Sequence, residues 1–190
     1  MVVKKSQIRK KILNKRVNSD FKNKKINFFN LLRLLNHENK NKKIGFYYPI
    51  GSELSTLELI ECLRKKKYII SLPVLEKNFK MSFYEWTEKS PLYINNFGIP
   101  EPIKSKKITP SILIIPIVAF DDNLNRLGYG GGFYDRFIAK LEKSKKILKI
   151  GLALSCQKIN KVPTNKFDKK MNYIFTENKV YKWEYFSLEI

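Results

Sequence analysis

Histidine is nearly absent: His37 is the single one in 190 residues, and it sits in a polar stretch. That argues against Ser-His-Asp and Cys-His catalysis and against a histidine-based zinc site. Cysteine is scarce too. Cys62 and Cys156 lie far apart, with neither metal spacing nor a disulfide framework, which suits a reducing cytosol. Long apolar runs are missing: the longest, Ile112 to Phe120, has nine residues and contains Pro116. A bilayer span needs about 20. The N-terminus is basic but lacks the apolar stretch of a signal peptide. A cytoplasmic location without membrane association is expected.

Acidic residues are few. Asp and Glu number 17 against 38 Lys and Arg, a net charge of +21. Such a charge suggests nucleic acid or an anionic surface. The composition points the other way. Arginine occurs only as Arg9, Arg16, Arg33, Arg64, Arg126 and Arg136, whereas nucleic-acid readers favour it for bidentate contacts. A Lys, Asn and Ile excess is what an AT-rich genome leaves at tolerant surface positions. No nucleic-acid motif is recognisable, so no specific nucleic-acid partner is expected. A basic nucleic-acid-binding protein remains the alternative, resting on charge and ten tyrosines. Residues 1–43 alone carry +12 of the +21.

With 43% hydrophobic and 13% aromatic residues, the chain has the material for an ordinary core. The length suits one domain, 1–190, with 1–43 as a basic helical segment packed on it. Apolar spacing predicts N-terminal amphipathic helices at about 3–17 and 20–36, the second capped by Ser19 or Asp20. Ile44–Tyr48 reads as a buried strand. Ser55–Lys66 reads as a helix capped by Ser55, with Glu58 completing a capping box. Tyr68–Leu72 reads as a strand stopped by Pro73. Phe79–Trp86, Ser111–Ile115, Leu148–Ala153 and Asn172–Phe175 read as strands, and Phe133–Lys143 as a helix. Strands alternating with helices, several apolar on both faces, imply a mostly parallel sheet covered by helices. Residues 87–110, with four prolines, read as a long loop serving a site.

Four of the eight glycines fall at Gly128, Gly130, Gly131 and Gly132, between an apolar strand and a helix opened by Phe133-Tyr134-Asp135. Glycines let backbone N–H groups approach an anion, and a helix N-terminus adds partial positive charge. Together they make a phosphate cradle. The loop lacks the Gly-Lys-Ser/Thr ending of a P-loop. Phe133 stands where a dinucleotide fingerprint needs glycine. A tight strand-to-helix turn without a ligand is the plain alternative. Arg126 before the loop is suited to phosphate oxygens. Asp135 after it is suited either to Mg²⁺ or to the helix dipole.

The stretch ILIIPIVAFDDNLNRLGYGGGFYDRF, Ile112 to Phe137, resembles the signature of the 5-formyltetrahydrofolate cyclo-ligases, also called 5,10-methenyltetrahydrofolate synthetases. It departs from their pattern at Ile117, usually glycine, and at Phe133, usually tyrosine. The resemblance continues in order along nearly the whole chain. Lys5-Ser6-Gln7-Ile8-Arg9 matches a Lys-x-x-x-Arg element, whose two cations lie one helical turn apart. YYPIGSELSTLELI resembles the segment carrying a folate-contacting glutamate, here Glu53, with Tyr48 at the strand end. LPVL (72–75), KMSFY (80–84), FGIPEP (97–102), GLALSCQ (151–157) and VPTNKFDKKMNYIFTE (162–177) follow. In the last, the family's second aspartate, a proposed metal ligand, is Asn172; Asp168 is present.

The resemblance implies a three-layer α/β/α fold of the kind shared by sugar-phosphate isomerases and CoA transferases. It implies ATP-dependent cyclisation of 5-formyltetrahydrofolate to 5,10-methenyltetrahydrofolate, with release of ADP and phosphate, by phosphorylation of the formyl oxygen. Lys5, Arg9, Arg126, Leu127, Gly128, Tyr129, Gly130, Gly131, Gly132, Phe133 and Tyr134 would hold ATP. Arg126 and Tyr134 would also act in catalysis. Tyr48 and Glu53 would hold the folate, and Asp135, with Asn172, Mg²⁺. Phosphoryl transfer needs positioning and charge stabilisation more than a nucleophilic side chain, so the lack of histidine is no obstacle. A monomer is expected. A family member drifted to another nucleotide-dependent reaction is a further alternative, resting on Asn172. Most of the basicity reads as background, with Lys5 and Arg9 as its functional part.

Overall fold

Apolar runs too short for helices become the buried strands of one sheet. The computed structural model describes residues 4–19, 26–37 and 43–182. The elements are α1 (Lys5–Val17), α2 (Phe29–His37), β1 (Lys43–Gly45), α3 (Leu57–Lys65), β2 (Ile69–Glu76), β3 (Lys80–Glu85), β4 (Leu92–Ile94), β5 (Pro100–Pro102) and β6 (Lys107–Ile108). There follow β7 (Ile112–Pro116), β8 (Ala119–Phe120), β9 (Arg126–Leu127), α4 (Phe133–Leu141), β10 (Leu148–Leu152), β11 (Tyr173–Phe175) and β12 (Val180–Lys182), with a 3-10 turn at Ser155–Gln157. Eight strands form one sheet in the order β12-β11-β10-β7-β1-β2-β3-β6. The five strands from β11 to β2 run parallel. β12 and β3 join antiparallel at the two sides, and β6 pairs antiparallel with β3.

The period-2 alternation of a strand sorts the core into two faces. On β7, Ile112 and Ile114 pack with Leu31 and Leu35 of α2 and with Leu59, Ile60 and Leu63 of α3. Leu113 and Ile115 pack with Ile138 and Leu141 of α4 on the other face. Each such fully buried side chain contributes about 1.5–3 kcal/mol. The result is the expected three-layer, mostly parallel α/β arrangement. Helix α1 lies outside these layers, with Ile12 packed on Val118, Ala119, Leu127 and Val162.

Chain order reverses between β1 and β7, because β1 leads through α3 to β2 on one side and β7 leads through α4 to β10 on the other. In open α/β sheets, ligands bind beyond the carboxyl ends of strands at such a switch point. Tyr47 and Tyr48 leave β1 there, Leu75 lies at that end of β2, and Pro116 closes β7; all four line one cavity.

Several local expectations are corrected. The second helix starts at Phe29, where Asn27 Oδ1 accepts the Phe29 N–H, and 26–28 are not helical. Ser19 bonds back to the Arg16 carbonyl, ending the first helix rather than capping the second; Asp20 lies outside the described residues. β1 ends at Gly45, although the Phe46 N–H still donates to the Ser71 carbonyl. Thr56, not Ser55, holds the N-cap position of α3, with its hydroxyl donating to the Tyr47 carbonyl. Pro73 does not stop β2, which runs on to Glu76. Trp86 N–H donates to Ile70, so the even-numbered residues of β2 bond to β3. The missing Pro73 N–H therefore points to the β1 side, where pairing has already ended at Gly45–Ser71. The 87–110 segment is not one loop: β4 and β5 form a hairpin and β6 joins the sheet.

Candidate active site

The cavity at the switch point encloses about 1040 Å³. That exceeds the roughly 300–1,000 Å³ of a typical small-molecule pocket. Its walls come from α1, the segment after β1, the β4–β5 hairpin, the glycine loop, the start of α4 and residues 165–169.

A turn held by one buried carboxylate aims the glycine loop. Asp121, fully buried, accepts the N–H groups of Asn123, Asn125 and Val162 and the Asn125 side-chain amide. This closes the β8–β9 hairpin and sets Arg126 at the loop's entry. Gly130 has φ +114° and Gly132 has φ +65°, both in the range that favours glycine. Arg9 Nε donates to the Gly128 carbonyl at 2.7 Å, and Arg136 Nη1 to the Gly131 carbonyl at 2.7 Å. Two loop carbonyls are thus turned to cations. Among the described residues, no hydrogen bond takes up the N–H groups of Tyr129, Gly130, Gly131 or Gly132. A loop with spent carbonyls and unspent N–H groups before a helix start is an anion cradle.

Arg126 is 7% exposed and donates through Nη2 to Asp135 Oδ1 at 2.8 Å. Its guanidinium carbon lies 5.8 Å from the Tyr134 ring centre. Arg126 Nε and the Tyr134 hydroxyl are buried without hydrogen-bond partners. An unmet buried polar group costs about 1–3 kcal/mol, so both are poised for a ligand. Burial, and then the nearby Glu53 charge, push the Tyr134 phenol well above its ordinary range, while Arg126 works against them. Tyr134 is therefore a neutral hydrogen-bond donor at physiological pH. Asp135 Oδ1 also accepts the Lys169 N–H at 3.0 Å. Lys5 pairs with Asp168 at 2.6 Å across the cavity's edge.

The opposite wall carries Glu53. Its Oε2 accepts the Ile50 N–H at 3.0 Å, and its own N–H donates to the Ile50 carbonyl, so a tight turn through Gly51 fixes it. Burial pushes the Glu53 carboxyl up; the Ile50 N–H, the Tyr129 hydroxyl and the Arg16 charge only partly offset this. Tyr48 lines the cavity with its ring edge-on to Trp86, centres 6.0 Å apart. Phe97 and Phe133 stand 6.4 Å apart on the rim.

Every expected ATP- and folate-contacting residue therefore lines this one cavity, as does Asp135. Asn172 does not. Its Oδ1 accepts the Lys149 N–H at 2.8 Å and its N–H donates to the Lys149 carbonyl, so it staples β11 to β10. Its oxygen is thus turned to the β10 backbone, and Asn172 is not among the residues lining the cavity. Three residues escaped the sequence reading. Arg16 is 4% exposed and bonds Ser52 and Tyr129. Glu101, also buried, accepts from Leu75 N–H, Tyr93 and Asn95 and so anchors the β4–β5 hairpin at the cavity. Arg136 was visible only as one more cation.

Fold and site define a class: a three-layer α/β enzyme whose cavity joins an anion cradle to an apolar wall bearing one carboxylate. Comparison with known proteins gives the particular family. The profile of the 5-formyltetrahydrofolate cyclo-ligase family matches residues 1–177. A 5-formyltetrahydrofolate cyclo-ligase of Haemophilus influenzae is 37% identical over 129 residues, covering 64% of this chain and 68% of that one. One from Escherichia coli is 33% identical over 144 residues, covering 72% and 79%. The solved structure of 5,10-methenyltetrahydrofolate synthetase from Aquifex aeolicus superposes with a TM-score of 0.76 at 30% identity, covering 94% of this chain and 92% of that one. The chain belongs to the 5-formyltetrahydrofolate cyclo-ligase family.

Proposed function

We propose that this enzyme converts 5-formyltetrahydrofolate and ATP to 5,10-methenyltetrahydrofolate, ADP and phosphate. The observation that carries the reading is the glycine loop, which has unspent N–H groups and lines the same cavity as Glu53. The loop N–H groups and the cations Lys5, Arg9 and Arg126 bind the phosphates of ATP and balance their charge. The Glu53 carboxylate accepts N–H groups from the pterin's polar edge, with Tyr48 beside it. The two substrates then meet near Arg126 and Tyr134.

The formyl oxygen attacks the γ-phosphorus, and the bond to the β-phosphate oxygen breaks, releasing ADP. The resulting iminium phosphate has a good leaving group where the amide had none. Nitrogen 10 attacks the formyl carbon and loses its proton, and the C–O bond breaks to release phosphate. Arg126, with Nε unspent, stabilises charge on the transferring group. Tyr134 donates its hydroxyl hydrogen to a phosphate or formyl oxygen without giving up the proton.

Among the described residues no three His, Cys, Asp or Glu side chains cluster. Asp135, which lines the cavity beside the glycine loop, suits Mg²⁺, which binds through one or two carboxylates plus substrate phosphates. Both hydrogen bonds to Asp135 fall on Oδ1, leaving Oδ2 for such a role. Bound there with ATP, Mg²⁺ would neutralise phosphate charge. Asn172 has no part in this reading.

Labelling the formyl oxygen with ¹⁸O tests the chemistry. The label should leave in inorganic phosphate. Label found in water instead would contradict phosphorylation of that oxygen.

A further inference from the structure

Helix α1 buries a charge where its pattern calls for an apolar residue. Ile8, Ile12 and Arg16 recur at four-residue spacing and share one face. Ile12 and Arg16 are each 4% exposed. Burying a guanidinium is costly unless its hydrogens are taken up. Arg16 places them on two separate walls of the cavity. Nε donates to Ser52 Oγ at 2.8 Å, and Nη2 donates to Tyr129 Oη at 2.8 Å. Ser52 belongs to the Ile50–Glu53 turn, and Tyr129 to the glycine loop. One side chain therefore ties the carboxylate wall to the anion cradle.

We propose that Arg16 is a positioning residue that fixes the folate-binding turn and the nucleotide-binding loop relative to each other. This rests on the assignment of those two elements to folate and ATP made above. The reaction joins atoms held by opposite walls, so their spacing enters the rate directly. A misplacement of about 1 Å can cost on the order of a hundredfold. A planar guanidinium suits the task because its donors diverge at fixed angles, which a lysine ammonium cannot reproduce. The Arg16 charge also faces Glu53. The other groups around that carboxylate are Tyr129 from the loop, Tyr47 from the end of β1 and Tyr134 from α4, with Arg126 next to Tyr134. Removing the Arg16 charge leaves the effect of burial on Glu53 less opposed.

The test uses Arg16→Met, Arg16→Lys and the double variant Ser52→Ala/Tyr129→Phe, with kcat and both KM values followed over pH. Arg16→Met should raise KM for both substrates and lower kcat/KM by about a hundredfold. Its acid limb for the folate should move to higher pH. Arg16→Lys should return that limb to its original place, because the charge is back, while both KM values stay raised. The double variant keeps the cation and cuts both bonds, together with the Tyr129 hydroxyl's contact with Glu53, so its ATP KM is the readout of Arg16 and should rise even where Arg16→Met does not fold. Unchanged KM values in the double variant would overturn the proposal. So would an Arg16→Met enzyme that melts lower but keeps both KM values and its pH profile. Glu53→Gln separates the two readings. Folate binding that survives it removes the folate role of Glu53, and the ATP KM of the double variant still decides on Arg16.

Discussion

Arg126 and Asp135 form an ion pair of 2.8 Å that closes the glycine loop, joining the strand that enters it to the helix that leaves it. The two side chains are 4% and 19% exposed, so the pair is largely shielded from water. The loop's shape and its charge are thus set by the same two residues. Asp135→Asn keeps a hydrogen-bonding oxygen but removes the charge. Turnover should fall by about a hundredfold or more, while folate affinity stays close to that of the unaltered enzyme. Parallel single-turnover and equilibrium binding measurements check this; equal loss of both would remove the metal and phosphate role of Asp135.

Gly130→Ala should act on the nucleotide side. At φ +114° a Cβ is strained, and it would stand 3.3 Å from the Arg9 guanidinium carbon. The strain is on the order of 1–3 kcal/mol, and Arg9 would be pushed off the Gly128 carbonyl. KM for ATP should rise with little change in folate affinity. Gly51→Ala, at φ +56° in the Glu53 turn with open space around it, should instead weaken folate binding. Isothermal titration of each variant with each substrate distinguishes the two patterns.

Gly151 and Ile117 fit each other. A Cβ on Gly151 would overlap the Ile117 side chain, which is 2% exposed. The isoleucine that stands where the resembled pattern has glycine is thus accommodated by a glycine on β10. Gly151→Ala should destabilise by about 1–3 kcal/mol through overpacking. Shortening Ile117 to alanine in the same chain should recover part of that loss. A double-mutant cycle from urea unfolding measures the coupling, and additive effects would contradict the contact.

Glu53 sets a pH dependence. Burial raises its carboxyl above the ordinary value of 4.5 despite the Ile50, Tyr129 and Arg16 contacts. In the proposed binding mode the ionised form accepts the pterin N–H groups, so folate affinity should fall as pH drops through this raised value. Its effect on folding has the opposite sense. The native chain holds the proton more tightly than the unfolded one, so stability from Glu53 is present at low pH and lost as pH rises through the native value. Glu53→Gln should flatten both dependences, read by folate binding and by urea unfolding from pH 4 to 7.

The strands and their mostly parallel arrangement were legible because β7 is an apolar run, and β10 apolar apart from Lys149, each short and bounded by turn residues. The glycine loop was legible because four glycines in five positions mark a backbone that must approach something closely. Pro73 misled because a strand tolerates proline where its neighbour has ended, which depends on pairing rather than on local sequence. Arg16 was hidden by composition: it is one of 14 cations in the first 43 residues, and nothing local marks it as buried. Its place at the end of the Ile8–Ile12 stripe was the one available signal. Asn172 shows the reverse problem. Its motif position points to a metal ligand, whereas its oxygen accepts the Lys149 backbone N–H.

In the proposed reaction the glycine loop and the Glu53 wall act on ATP and 5-formyltetrahydrofolate together. Purified enzyme, mixed with both and Mg²⁺, should generate the absorbance of 5,10-methenyltetrahydrofolate with one ADP formed per product. Omitting ATP should abolish it. Well-folded enzyme that forms no methenyl product under these conditions, or forms it without consuming ATP, would contradict the account.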